Sequence, residues 1–317
     1  MLLPPCQKSL PYCSYLRPII PQTGVHARGQ GAHFDVLLPP DLIPDIGQLS
    51  EHEAKIQYTL NRMLPRDVRM YRLEVAHVFQ NQPNERRQVW HSMCTSKGKL
   101  YSYRFSTNHI VHPLERFTRT HLVEEIDISQ LRRVLQYFVG THEFRPFAGM
   151  IEQTTAKNMS KIKQQQNPKP EQGMDEIYFD EESEDVSEIN TVRTIYRIDL
   201  IEESQIDGNY FQKGNYRIDF YLKGALYKMV RNIVGSAFEA CKVKKQRYDE
   251  EVLVRLLHQI PSSYNVHLEN FTQNETFKSK IIYTRRDNLA KPAPPEGLTL
   301  EWVFYDEEEL KEVLQSA

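Results

Sequence analysis

Residues 216–223 read Tyr-Arg-Ile-Asp-Phe-Tyr-Leu-Lys, and their alternation decides the fold class. Tyr216, Ile218, Phe220 and Leu222 recur with period two, opposite Arg217, Asp219, Tyr221 and Lys223. That is a strand with one face on a core and the other toward water. A second strand is expected at residues 192–201, with Tyr196, Ile198 and Leu200 on one face, and Asp207-Gly208-Asn209 supplies a hairpin turn between the two. Upstream, residues 100–107 place Tyr101, Tyr103 and Phe105 opposite Ser102 and Arg104, and residues 68–79 and 298–305 also read as strands. Half-polar strands with hairpin-length links argue for antiparallel sheets covered by helices on one side. The expected class is α+β, not a doubly wound nucleotide fold.

Helical spacing fills the gaps. Residues 51–64 carry Ile56, Leu60, Met63 and Leu64 and stop at Pro65. Residues 127–140 offer Asp127 or Ser129 as a cap, a stripe of Leu131, Val134, Leu135 and Phe138, and Gly140 for the closing turn. Residues 225–241 put Leu226, Met229, Val230, Ile233, Ala237 and Cys241 on one face, and Arg255 falls in a helix over 249–259.

Composition sets limits on function. Of 317 residues, 40% are hydrophobic and 26% charged, which is neither a disordered nor a membrane-embedded chain. No run approaches the ~18 apolar residues of a membrane-spanning helix. The four cysteines form no C-x-x-C pair, so neither a disulfide framework nor a zinc site is suggested. His109 and His112 are the closest histidine pair and lack companion ligands; they read as loop residues, and no metal site is expected. There is no P-loop, and Gly24, Gly29 and Gly31 do not make a dinucleotide-binding pattern.

Residues 151–190 hold ten acids and four bases and read as an acidic, disordered insertion. The remainder is net +4, which is compatible with a polyanionic partner. Residues 1–22 are rich in Pro, Cys and Tyr, with no acid before Asp35 and no periodicity. As a transit peptide the stretch is short and lacks an Arg- and Ser-rich pattern, so there is no clear targeting signal, and cytoplasm and organelle both stay open. Residues 307–317 read as an acidic tail.

Two segments stand out chemically. Gly24-Val25-His26-Ala27 reads as a tight glycine turn, and Met229-Val-Arg231-Asn-Ile-Val-Gly235 holds an arginine off the apolar stripe, one turn after Tyr227. The plain reading of Arg231 is a surface charge; the functional one is a guanidinium presented to a phosphate or carboxylate.

With Lys99-Leu-Tyr101-Ser-Tyr103, His142-Glu-Phe144 with Phe147, and Glu296-Gly297-Leu298, these segments occur in one order. They resemble the TruA family of tRNA pseudouridine synthases over residues 24–306, the acidic insertion apart. The resemblance implies a two-lobed pseudouridine synthase-like fold. Residues 1–23 would be a non-family segment, 24–150 an incomplete N-terminal lobe, and 191–306 the C-terminal lobe. It implies isomerisation of uridine to pseudouridine in the anticodon arm of tRNA, with no metal or organic cofactor, no membrane, and a homodimer. In that family an aspartate is the nucleophile. The tyrosine matching Tyr101 stacks on the flipped base and the arginine matching Arg231 pairs with the aspartate. Gly24, Val25 and His26 match the loop that borders the substrate.

One departure matters. The family reads R-T-D-A-G-V-H, and this alignment puts Gln22 under the aspartate. A neutral amide cannot form the same adduct, and Asp35 is too far along to replace it. The family's Y-D-G and G-W-Q motifs are also missing from residues 1–22, and Met93 stands where an arginine facing RNA is usual. The expectation is a synthase by family that is inactive as written, with a catalytically dead tRNA-binding module as the alternative.

Overall fold

The computed structural model describes residues 23–33, 49–74, 78–79, 88–92, 94–149, 190–203, 214–244, 246–257 and 290–316. Gln22, Met93, the 207–209 turn and the 151–189 part of the acidic insertion lie outside them. The first described elements are β1 (His26–Ala27), α1 (Leu49–Met63), β2 (Val78–Phe79), β3 (Gln88–Val89), β4 (Gly98–Ser106), β5 (Thr120–His121), α2 (Ile128–Gln136) and β6 (Gly140–Glu143). After the insertion come β7 (Val192–Glu202), β8 (Asn215–Leu222), α3 (Met229–Ala240), α4 (Glu250–Leu257), β9 (Leu298–Phe304) and α5 (Glu307–Gln315).

The chain forms two units, residues 1–20 with 31–96, and residues 21–30 with 97–317. In the first, α1 ends just before Pro65, as its sequence requires. Asn61 then captures Met70 on both sides, donating from Nδ2 to its carbonyl at 2.6 Å and accepting from its N–H at 2.8 Å. Those two backbone groups are lost to any ladder, so residues 68–74 are irregular where a strand is expected over 68–79; among the described residues of that stretch the strand is β2, which pairs antiparallel with β3.

The second unit is built on a seven-stranded sheet in the order β1-β9-β4-β8-β7-β6, with β5 also on β4. The expected antiparallel pairing holds for β4/β8, β4/β9, β6/β7 and β7/β8, but β1/β9 and β4/β5 are parallel, so the sheet is mixed. The reason is connectivity: a hairpin link forces antiparallel neighbours, and β1 and β9 come from opposite ends of the chain.

One face carries the core. Tyr103 and Phe105 of β4, Ile218, Phe220 and Leu222 of β8, and Ile195 and Ile198 of β7 pack under α2 and α3. Asp127 caps α2 by accepting from the Gln130 N–H at 3.0 Å, and Leu131, Val134 and Leu135 are its buried stripe. Burying side chains of this size contributes about 1.5–3 kcal/mol each. In β7 a bulge between Ile195 and Arg197 shifts the register. Ile195 therefore joins Ile198 and Leu200 in the core, while Tyr196 does not. Alternation alone cannot show such a switch.

Helix α3 starts at Met229, four residues later than its periodicity suggests, because Lys228 is left-handed at φ 60° and breaks the helix there. The remaining twelve residues are nearly all buried. The second face of the sheet is charged. Arg104 meets Glu301 at 2.7 Å and Glu203 at 3.4 Å, Arg119 meets Glu203 at 2.8 Å, and Arg217 meets Glu203 at 3.3 Å. Burial alone would raise the Glu203 carboxyl, but Arg119, Arg104 and Arg217 outweigh it and hold that group below the ordinary carboxylate value.

The acidic residues after Asp306 fold. Asp306 caps α5 by accepting from the Glu308 N–H at 2.9 Å, and Leu310 is buried beside Gly98. Arg197 donates to the Val313 and Leu314 carbonyls at 3.1 and 3.2 Å. Gly98 and Arg197 belong to the charged side of the sheet, so helices are not confined to one face as expected. No described helix is long and apolar enough to cross a membrane.

Candidate functional site

The segment 290–297, just ahead of β9, ties the candidate residues together. It crosses α3 at Gly235, where an added Cβ would lie 2.3 Å from the Lys291 carbonyl and 2.9 Å from the Ala293 nitrogen. Only glycine lets backbone approach that closely. One turn earlier on the same helix face, Arg231 completes the contact: its Nε donates to the Ala293 carbonyl at 2.7 Å, and the Ala293 N–H donates to the Arg231 carbonyl at 2.9 Å. Standing off the apolar stripe thus places Arg231 where this strap docks.

The strap then reaches β4. The Tyr103 hydroxyl donates to the Pro294 carbonyl at 3.0 Å and shares a 2.8 Å hydrogen bond with Thr120 Oγ1. Burial raises the Tyr103 phenol well above its ordinary value; the bond to Thr120 offsets part of that, the Glu296 charge adds to it and the Arg231 charge opposes it. Arg231 and Glu296 therefore both act electrostatically at the Tyr103 hydroxyl. Tyr101 lies two residues along the same face of β4, between Phe220 and Leu300 in the ladder, and packs on the core edge. Its phenol is pushed up to about 12 by burial, so it is neutral at physiological pH.

The glycine turn arrives from the other side. Gly24 has φ +80°, a conformation that strains any other L residue, and a Cβ there would meet Pro295 at 3.0 Å. Val25 packs on the core, and His26 pairs in the ladder with Thr299. Gly24, Arg231 and Tyr103 are thereby assembled around residues 293–295, while Tyr101 is paired with Leu300 in the ladder. His26 links this turn to the loop after β4: its Nε2–H donates to the Phe117 carbonyl, fixing the tautomer. Ala293 and Pro294 carry no signal in the sequence, because their contribution is backbone carbonyls, which no side-chain pattern announces.

Comparison with known proteins bears on this arrangement. The family described as tRNA pseudouridine synthase matches residues 134–306, more than half of the chain. The chain is 29% identical over 285 residues to tRNA pseudouridine synthase A 1 of Protochlamydia amoebophila, covering 90% of this chain and 77% of that protein. It is 25% identical to tRNA pseudouridine synthase A of Lactobacillus helveticus (90% and 74%) and 26% identical to that of Ligilactobacillus salivarius (91% and 78%). The mixed sheet with its five described helices is an α+β architecture of pseudouridine synthase type. The chain belongs to the TruA family of tRNA pseudouridine synthases.

Proposed function

We propose that this fold binds the anticodon arm of tRNA and is built to isomerise uridine to pseudouridine there. The observation that carries the reading is the convergence of the Gly24 turn, Arg231 and Tyr103 on residues 293–295, with Tyr101 two residues along β4, in a chain of this family. The reaction breaks the N1–C1′ bond, rotates the uracil and forms C5–C1′; the C5 proton is lost and N1 gains one, so no oxidant or reductant is needed. A stacked base is reachable only when extruded, and an aromatic face replaces the stacking it loses. Tyr101, a neutral phenol on the core edge, has that role, and Gly24 and Val25 border the target. Arg231, already oriented by Ala293, would hold a neighbouring carboxylate ionised and nucleophilic.

In the alignment that carboxylate position is Gln22. A glutamine amide is uncharged and cannot make the covalent adduct, so the chain as written binds tRNA without converting it. Titration of the full chain with an unmodified tRNA transcript, followed by pseudouridine mapping, tests both parts. Salt-dependent binding and no product are expected. Tyr101→Phe keeps the affinity, whereas Tyr101→Ala weakens it about 5- to 150-fold, the scale of one lost base stack. Pseudouridine formed by the unaltered chain would overturn the role given to Gln22; absence of tRNA binding would overturn the functional reading itself.

A further inference from the structure

The loop after β4 ends in an exposed tip that is held by its own hydrogen bonds and ion pairs. Residues 113–115 form a 3-10 turn, capped by His112 Nδ1, which accepts from the Leu114 N–H at 3.2 Å. Phe117 follows, with 61% of its surface exposed, and the Arg116 guanidinium lies 4.1 Å from the centre of its ring. Arg116 also donates to the Pro113 carbonyl at 2.8 Å, which fixes the guanidinium over the ring.

The base of the tip is buried and charged. Arg119 is only 7% exposed; it meets Glu115 at 3.0 Å and Glu203 at 2.8 Å, and donates to the Phe105 carbonyl at 3.4 Å. Glu115, the sole acid of residues 107–123, is thus turned inward, and the charge left at the tip is that of Arg116. An exposed large aromatic has no folding reason to be anchored by buried ion pairs. The anchoring does make sense for a contact surface, because a preorganised side chain loses less entropy on binding.

The tip also sits against the candidate site. The Phe117 carbonyl accepts from His26 Nε2, one residue from Val25 and two from Gly24. A rigid aromatic face with a cation on it, beside the loop that borders the target, matches an unpaired nucleotide: base on ring, phosphate on guanidinium. Resting on the tRNA reading above, we infer that Phe117 and Arg116 form a second stacking platform, which takes an unpaired anticodon-loop nucleotide flanking the target uridine.

The test is fluorescence-anisotropy titration of the full chain with an unmodified anticodon stem-loop RNA, over a salt series. Phe117→Ala is expected to weaken binding about 5- to 150-fold, and Phe117→Trp to retain it within about twofold. Arg116→Ala is expected to lower the salt slope by about one. Leu114, 79% exposed on the same tip, serves as a control, and Leu114→Ala is expected to bind like the parent chain. If the parent chain binds and Phe117→Ala binds equally well, or Leu114→Ala loses as much, the platform is overturned while the tRNA reading stands. If Phe117→Ala instead alters only the sedimentation of the chain, the tip is a contact between copies and the platform is overturned. A parent chain that binds no RNA overturns both.

Discussion

Replacing Gly235 with alanine puts a single methyl into the closest backbone approach in the candidate site. The added carbon would sit 2.3 Å from the Lys291 carbonyl and 2.9 Å from the Ala293 nitrogen, against ordinary contact from 3.4 Å. Both obstacles are backbone, so the strap must retreat from α3 by roughly 1 Å. Overpacking of this kind costs about 1–3 kcal/mol. The retreat also breaks the charge-assisted bond from Arg231 Nε to Ala293, a loss of about 1.5–3 kcal/mol. Alanine's better helix propensity returns about 1 kcal/mol. A net loss of about 1.5–5 kcal/mol lowers the midpoint of thermal unfolding by roughly 3–20 °C for a unit of this size. Circular dichroism melts of the full chain measure it, with Gly224→Ala as the reference, since a Cβ at Gly224 meets nothing within 4 Å. A Gly235→Ala chain that melts at or above the parent while Gly224→Ala is neutral would show that the strap does not press on α3 at this point.

Two further outcomes follow from the second face and the insertion. Glu203 is held below its ordinary value of 4.5 by three arginines, so its contribution is present above about pH 4.5 and is lost as pH falls through the lowered folded value. Glu203→Gln is expected to destabilise by about 1.5–3 kcal/mol at pH 7, because Arg104, Arg119 and Arg217 lose their shared carboxylate while keeping Glu301, Glu115 and Asp219, and to flatten the acid limb of the stability profile; an unchanged limb in urea titrations from pH 3 to 7 would refute it. The acidic insertion runs between neighbouring antiparallel strands, with Glu143 of β6 opposite Val192 of β7. Exchanging residues 152–188 for a short Gly/Ser linker is therefore expected to leave the midpoint within a few degrees, since loop closure depends weakly on length; a collapse of the melt would show that the insertion packs.

The two kinds of information divide at identifiable residues. Period-two alternation over residues 216–223 defined β8, and the Leu131, Val134, Leu135 stripe with Asp127 ahead of it defined α2, because a half-buried strand or helix must repeat its apolar residues at its own period. The ordered motifs were enough to name the family, since side-chain identity is what they record. The bulge in β7, the left-handed Lys228 and the capture of Met70 by Asn61 were not legible, because each is a backbone event decided by neighbours far away or by one dihedral angle.

The candidate site splits the same way. Arg231, Tyr101 and Gly24 are written in the sequence as residue types, whereas their common support is not. The carbonyls of Ala293 and Pro294 hold Arg231 and Tyr103, and Pro295 abuts Gly24. Carbonyl groups belong to every residue, so their placement follows from where the chain runs. Residue identity and spacing were sufficient for the main elements and the family. Which chemical groups meet was settled in three dimensions, because residues 24, 103, 231 and 294 become neighbours only when β1, β9, β4 and α3 pack.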